Sequence, residues 1–180
     1  MIRAFFAIEL PLETQAAITE SLIGFKLHYQ NAIRWIKPSN FHITLQFLKH
    51  LDPNDILKLS QLVKEEIKPI KAFTLQLHLI ELFPTSHRPR YLSLQVGPDE
   101  ILSRLSKTIG EAMKKLNYPT DNRVFRGHLS LGKVIHSHEL PAFPTILFPE
   151  IHTKINDIVL FQSEPSFQGS QYTPLTRISL

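Results

Sequence analysis

Hydrophobic and polar positions along this chain alternate with two periods, one suited to strands and one to helices. Residues Ile2 to Glu9 fit a buried strand. Pro11 then opens a stretch, 12–29, in which Leu12, Ala16, Ile18, Leu22, Ile23 and Leu27 recur at helical spacing. Residues 41–48, Phe-His-Ile-Thr-Leu-Gln-Phe-Leu, read as another strand. Asp52-Pro53 signals a helix start, so a helix is predicted over 53–68, limited by Pro69. Strands are predicted at 72–83 and 90–96 around a turn holding Pro84 and Pro89, followed by a helix over 99–116 and a short strand at 127–134. Pro141, Pro144 and Pro149 mark an irregular connection, and strands at 154–162 and 171–179 close the chain.

The pattern repeats. Arg3, Pro11 and Glu13 are spaced as Arg90, Pro98 and Glu100, each set opening a strand followed by a helix. His42 stands 39 positions after Arg3, and His128 stands 38 after Arg90. Those two points carry Phe41-His42-Ile43-Thr44-Leu45 and Gly127-His128-Leu129-Ser130-Leu131. Glu81-Leu82-Phe83 and Val159-Leu160-Phe161 form a weaker echo. In the first strand His42, Thr44 and Gln46 share one face by alternation, opposite Phe41, Ile43, Leu45 and Phe47; in the second, His128 and Ser130 oppose Leu129 and Leu131. The expectation is one α+β domain over 1–180, bilobal, with two strand–helix–strand halves at about 2–83 and 90–163 and a C-terminal strand at 171–180. Two pseudo-twofold-related antiparallel sheets would carry helices on their outer faces and enclose a central cleft between polar faces. No glycine-rich phosphate loop is present to suggest a Rossmann fold.

Composition narrows the chemistry. The 180 residues include no cysteine, which removes disulfides, thiolate metal sites and cysteine nucleophiles and fits a cytoplasmic protein. Twenty Lys and Arg against 16 Asp and Glu give a net charge of +4, a mild bias toward anionic partners spread along the chain. No apolar run is long enough to span a bilayer, and the N-terminal apolar stretch is too short for a signal peptide, so no membrane partner is expected.

H-x-T and H-x-S on strands each point an imidazole and a hydroxyl into one space. Two such pairs facing one another supply two groups that titrate near neutrality and two hydrogen-bond donors. In-line attack on a phosphodiester needs a base for water on one side and an acid for the leaving oxygen on the other, with donors on the non-bridging oxygens. Imidazole and hydroxyl suffice for this, so no metal or other cofactor is required. His136 and His138 make the nearest approach to a metal pair, without an H-E-x-x-H or carboxylate-rich context, and the remaining histidines read as surface or satisfied residues. Which of His42 and His128 is acid and which base is left open by the near-symmetry of the motifs.

At these residues the chain resembles the two-histidine (2H) phosphoesterases, specifically the RNA 2′,3′-cyclic phosphodiesterases also called LigT- or ThpR-type 2′-5′ RNA ligases. The resemblance rests on Arg3 through Pro11, Arg34 through Asn40 before His42-Ile43-Thr44-Leu45, Phe83-Pro84 with Pro89-Arg90, His128-Leu129-Ser130-Leu131, and a tail with Ser163, Gly169 and Tyr172. It implies His42 and His128 as the acid–base pair, with Thr44 and Ser130 holding phosphate. It implies an aromatic at Phe47 stacking on a base, and a cation at Lys133 where family members place arginine; lysine keeps the charge and loses the bidentate fork. Phe47 and Lys133 lie on the apolar parity of their strands, which reads equally as core packing for Phe47 and a solvated strand end for Lys133. Gly132 would permit a bulge that re-aims the lysine. Arg126, two before His128, is a second cationic candidate on the histidine's face. Gly127 and Leu82 depart from the family's usual proline and glycine without touching the chemistry.

The resemblance implies a monomeric, metal-independent enzyme that opens a 2′,3′-cyclic phosphate on RNA ends or nucleotides to a 2′-phosphate, with reverse 2′-5′ ligation as a side activity. The competing expectation is a catalytically weak module that binds RNA ends through a basic groove and stacking aromatics.

Overall fold

The computed structural model describes residues 1–120, 123–137, 140, 146–167 and 169–180. Two antiparallel sheets form its frame, as the alternation predicts. The first has the order β3-β1-β8-β9, built from β1 (Ile2–Glu9), β3 (His42–Leu51), β8 (Asp157–Ser166) and β9 (Gly169–Ser179). The second runs β2-β6-β5-β4-β7, from β2 (Ile33–Trp35), β6 (His128–Val134), β5 (Tyr91–Gly97), β4 (Phe73–Phe83) and β7 (Ile146–Ile155).

The strand–helix–strand units stay intact in space, β1 pairing with β3 and β5 with β6. The outer strands are exchanged: β4, from the segment 2–83, joins the second sheet, and β8, from 90–163, joins the first. This exchange ties the two lobes together, because neither sheet is complete without a strand from the other segment.

The helical stretch 12–29 is two helices, α1 (Leu12–Ser21) and α2 (Ile23–His28), broken at the buried Leu22. Helix 53–68 is a 3-10 turn at Pro53–Asp55 running into α3 (Ile56–Ile67), with the Asp52 carboxylate accepting from the Asn54 amide. Helix α4 (Asp99–Lys115) buries Leu102, Leu105, Ile109, Ala112 and Met113 along one stripe. It lies behind the first sheet, where Ser106 meets β3, whereas α1 lies behind the second, where Thr14 bonds Thr153 of β7 at 2.9 Å.

Two strands escape the sequence reading. β2 is too short for a periodic signal. β7 contains Pro149, which belongs to the prolines read as an irregular connection; it is an edge strand, and the register steps from Leu77↔Ile151 to Leu79↔Leu147, so the proline sits where the pairing bulges. Pro141, Pro144 and His138 lie outside the described residues. No described helix is long and apolar enough to cross a membrane.

Candidate functional site

Equivalent β-bulges shape the two histidine strands. β1 and β3 pair Phe6↔Gln46 and then Ala7↔Thr44, so β3 carries an extra residue at Leu45. β5 and β6 pair Leu92↔Gly132 and then Ser93↔Ser130, so β6 carries one at Leu131. An extra residue inverts the alternation beyond it. Gln46, expected beside His42 and Thr44, therefore turns inward: it is buried, and its side-chain amide donates to the Ser106 carbonyl at 3.0 Å. Phe47, on the apolar parity by simple alternation, moves to the histidine face, 60% exposed and 5.9 Å from the Phe5 ring. Lys133 moves in the same way to lie opposite Tyr91, with the bulge one residue earlier than Gly132. Gly132 has a different role: a Cβ there would come within 2.3 Å of Ile33, so glycine lets β2 approach.

The two imidazoles are held alike. His42 Nδ1 lies 2.7 Å from the Asn40 carbonyl and His128 Nδ1 lies 3.0 Å from the Arg126 carbonyl, each two residues upstream. A carbonyl only accepts, so both Nδ1 atoms carry hydrogen and both Nε2 atoms are left with a lone pair when the ring is neutral. His42 Nε2 accepts from the Thr44 hydroxyl at 3.1 Å. Small residues at positions 7 and 93 leave room for the rings to lean along the strands. His42 reaches Phe5, at 4.9 Å between centroids, and stands edge-on to Tyr172 at 5.0 Å. His128 stacks on Phe83 at 3.8 Å and 16°.

Below the rings the lobes differ. Beneath His42 lie the buried Phe5, Ala7, Val159 and Phe161. Beneath His128 lie Ser93 and Glu81, cross-strand partners occupying the positions equivalent to Ala7 and Val159. Glu81 accepts from Gln95 at 2.8 Å and from Arg126 at 2.5 Å, while its second oxygen and the Ser93 hydroxyl are buried without a partner. Arg126 also donates to the Pro84 carbonyl at 3.0 Å, its guanidinium 5.1 Å from the Phe83 ring centre. It is thus engaged beside His128 rather than extended into the cleft.

These surroundings set the protonation. Burial pushes His42 below the usual imidazole value; the Asn40 carbonyl opposes this, and a charge on His128 lowers it further. Burial also lowers His128, with Arg126 adding to the depression through its charge and Glu81 opposing it. The two rings therefore sense one another, and a single proton shared by the pair is favoured over two. Burial raises the Tyr172 phenol, and Tyr91 of the second sheet adds to that across the cleft.

Sequence comparison points the same way. A family model described as LigT like Phosphoesterase matches residues 8–92. The chain is 28% identical over 119 residues to the RNA 2′,3′-cyclic phosphodiesterase of Bacillus subtilis, a stretch covering 66% of this chain and 61% of that protein. It is 23% identical over 174 residues to the RNA 2′,3′-cyclic phosphodiesterase of Methanothermobacter thermautotrophicus, covering 96% and 92%. The crystal structure of E. coli LigT complexed with 3′-AMP superimposes with a TM-score of 0.80 at 25% identity, over 99% of this chain and 98% of that one. The chain is similar to the LigT-like phosphoesterases in the matched part of its sequence and in its fold. In fold the chain also matches the TT0787 protein of Thermus thermophilus, TM-score 0.83 at 24% identity over 99% and 98% of the two chains.

The matched segment contains the His42 motif and ends at Leu92, before His128. What links the second motif to the first is the shared register, bulge and carbonyl tether. Sequence reasoning did not single out Glu81, Phe5 or Asn40 as parts of the site. For Glu81 the one signal was the echo of Glu81-Leu82-Phe83 in Val159-Leu160-Phe161, which marks equivalent strands, Phe83 pairing with Tyr91 as Phe161 pairs with Phe5; Phe5 and Asn40 lie in the segments that carry the family resemblance. Among the described residues no three His, Asp or Glu side chains are grouped to hold a metal ion.

Proposed function

We propose that this protein is a LigT-like phosphoesterase that hydrolyses 2′,3′-cyclic phosphates on RNA ends and nucleotides, with His42 and His128 as acid–base pair. The duplicated Nδ1–carbonyl tether carries this reading, because it presents two Nε2 atoms of fixed tautomer to one cleft. A neutral Nε2 takes a proton from water as the water oxygen bonds to phosphorus. The P–O3′ bond breaks, and the other ring, protonated beforehand, gives its proton to O3′, leaving a 2′-phosphate and a free 3′-hydroxyl. Charge on His128 disfavours charge on His42, so the two rings are not both protonated when the step begins. Thr44 and Ser130 donate to the non-bridging oxygens as charge builds on them. With a 5′-hydroxyl in place of water, the same path forms a 2′-5′ linkage.

Purified protein supplied with 2′,3′-cyclic mononucleotides in EDTA should form 2′-phosphates, and His42→Ala or His128→Ala should each lower kcat by at least about 10²–10⁴-fold. Tight binding of RNA ends with no product would instead indicate a binding module. Turnover surviving either substitution removes that histidine from the mechanism.

A further inference from the structure

Each imidazole is aimed by the carbonyl two residues before it, so whatever aims that carbonyl also aims the ring. His42 and His128 are the first residues of β3 and β6, which leaves Asn40 and Arg126 outside the ladders that fix carbonyl directions within a sheet. Asn40 ends a 3-10 turn, Pro38–Asn40, closed by the Asn40 and Phe41 amides on the Lys37 and Pro38 carbonyls. Arg126 lies in the irregular segment between α4 and β6.

Both residues use their side chains in the same way. The Asn40 amide donates to the Ser170 carbonyl at 2.9 Å, and the Arg126 guanidinium donates to the Pro84 carbonyl at 3.0 Å. Each acceptor lies in a hairpin, Ser170 in β8–β9 and Pro84 just past β4 in β4–β5. Each hairpin also sets an aromatic ring against the histidine concerned, Tyr172 edge-on to His42 and Phe83 flat on His128. Three contacts therefore recur in both lobes: ring nitrogen to carbonyl, side chain of the carbonyl's own residue to a hairpin carbonyl, and hairpin aromatic to ring. The donors differ, a neutral amide in one lobe and a guanidinium in the other, so the recurrence is one of arrangement and not of residue type. An imidazole released from its carbonyl distributes its proton over both nitrogens, and an Nε2 that bears hydrogen cannot take one from water.

We propose that Asn40 and Arg126 are equivalent positioning residues, each locking the tautomer of the histidine two places on by clasping the hairpin that carries that ring's aromatic neighbour. The proposal rests on the hydrolase reading and gives Arg126, a cationic candidate for substrate in the sequence, to the histidine instead. Neither side chain meets the reacting phosphate.

The test reads the tautomers directly, by long-range proton–nitrogen correlation spectra of isotope-labelled protein above the titration of both rings. Steady-state kinetics on a 2′,3′-cyclic mononucleotide run beside it. In wild type both histidines should carry hydrogen on Nδ1. Asn40→Ala should mix the tautomers of His42, leave those of His128 unchanged, and lower kcat severalfold with KM within about twofold. Asn40→Gln, which keeps an amide donor, should recover part of both. Arg126→Ala should act on His128 in the same way, with Arg126→Lys recovering part. A His42 tautomer unmoved by Asn40→Ala, or a loss of kcat with both tautomers intact, overturns the proposal. A raised KM in Arg126→Ala with His128 unmoved makes Arg126 a substrate contact and overturns it as well. Wild type that turns nothing over, with tautomers that respond as expected, overturns the hydrolase reading and supports the clasps.

Discussion

Gly132→Ala tests how β2 is seated against β6. A Cβ at position 132 would lie 2.3 Å from Ile33 Cγ2, 3.2 Å from the Arg34 carbonyl oxygen and 3.4 Å from the Trp35 Cα. Carbon atoms prefer about 3.5–4.0 Å, so the overlap with Ile33 exceeds 1 Å. Ile33 cannot swing aside: it is 1% exposed, and its branched methyl sits one bond from Cβ. The other two contacts are backbone, so relief requires β2 to move off the sheet edge. Overpacking of this kind costs about 1–3 kcal/mol, and at about 2–4 °C per kcal/mol for a chain of this size Tm should fall by about 2–12 °C. Scanning calorimetry measures the loss. The sharper measurement is a double-mutant cycle with Ile33→Ala. That change alone opens a cavity and costs about 2–5 kcal/mol, yet in the presence of Gly132→Ala it makes room for the new methyl. The double variant should therefore be more stable than the sum of the two singles by at least about 0.5 kcal/mol. Additive losses, or a Gly132→Ala protein as stable as wild type, would refute the steric account of this glycine.

Two further outcomes follow from the groups behind the cleft. Glu81→Gln removes the one carboxylate that raises His128 and leaves the opposing Arg126 charge unbalanced, so the His128 pKa falls and the bell-shaped pH–rate profile should move toward lower pH; an unmoved profile would show that Glu81 does not act on the pair. Ser106→Ala strips the hydroxyl that donates to the Leu45 carbonyl at 2.8 Å within the β3 bulge, leaving a buried acceptor unmet, and should cost about 1–3 kcal/mol in urea denaturation; a loss below about 0.5 kcal/mol would mean the bulge holds without α4.

The sequence made the histidines legible because their signal is local: H-x-T and H-x-S need only the two-residue strand period. It also made the duplication legible, since Arg3 to His42 and Arg90 to His128 span one architectural unit each. What it hid was anything decided by pairing across strands. Alternation alone put Gln46 in the cleft and Phe47 in the core, and a bulge at Leu45, visible only against β1, reverses both. The exchange of β4 and β8 between the sheets is likewise a long-range choice, with no trace in the pattern of either strand. Pro149 misled for a related reason: proline excludes a central strand, and nothing in the sequence marked β7 as an edge.

Symmetry and chemistry make opposite demands on this cleft. Two like halves deliver two like imidazoles, tethered through the same atom to the same relative carbonyl. Acid–base work needs them in different protonation states at the same moment. Some of that difference arises from the pair itself, because charge on His128 disfavours charge on His42. The rest lies in the floor. Under His42 the positions equivalent to Ser93 and Glu81 are Ala7 and Val159, which carry no charge, so burial, the Asn40 carbonyl and the other ring govern its titration. Under His128 an ion pair is built in, Arg126 lowering and Glu81 raising the proton affinity of the same ring. A change to either partner moves His128 first and His42 only through it. The fold thus supplies the geometry twice, and the unequal strands β4 and β8 supply the asymmetry that the proposed reaction requires.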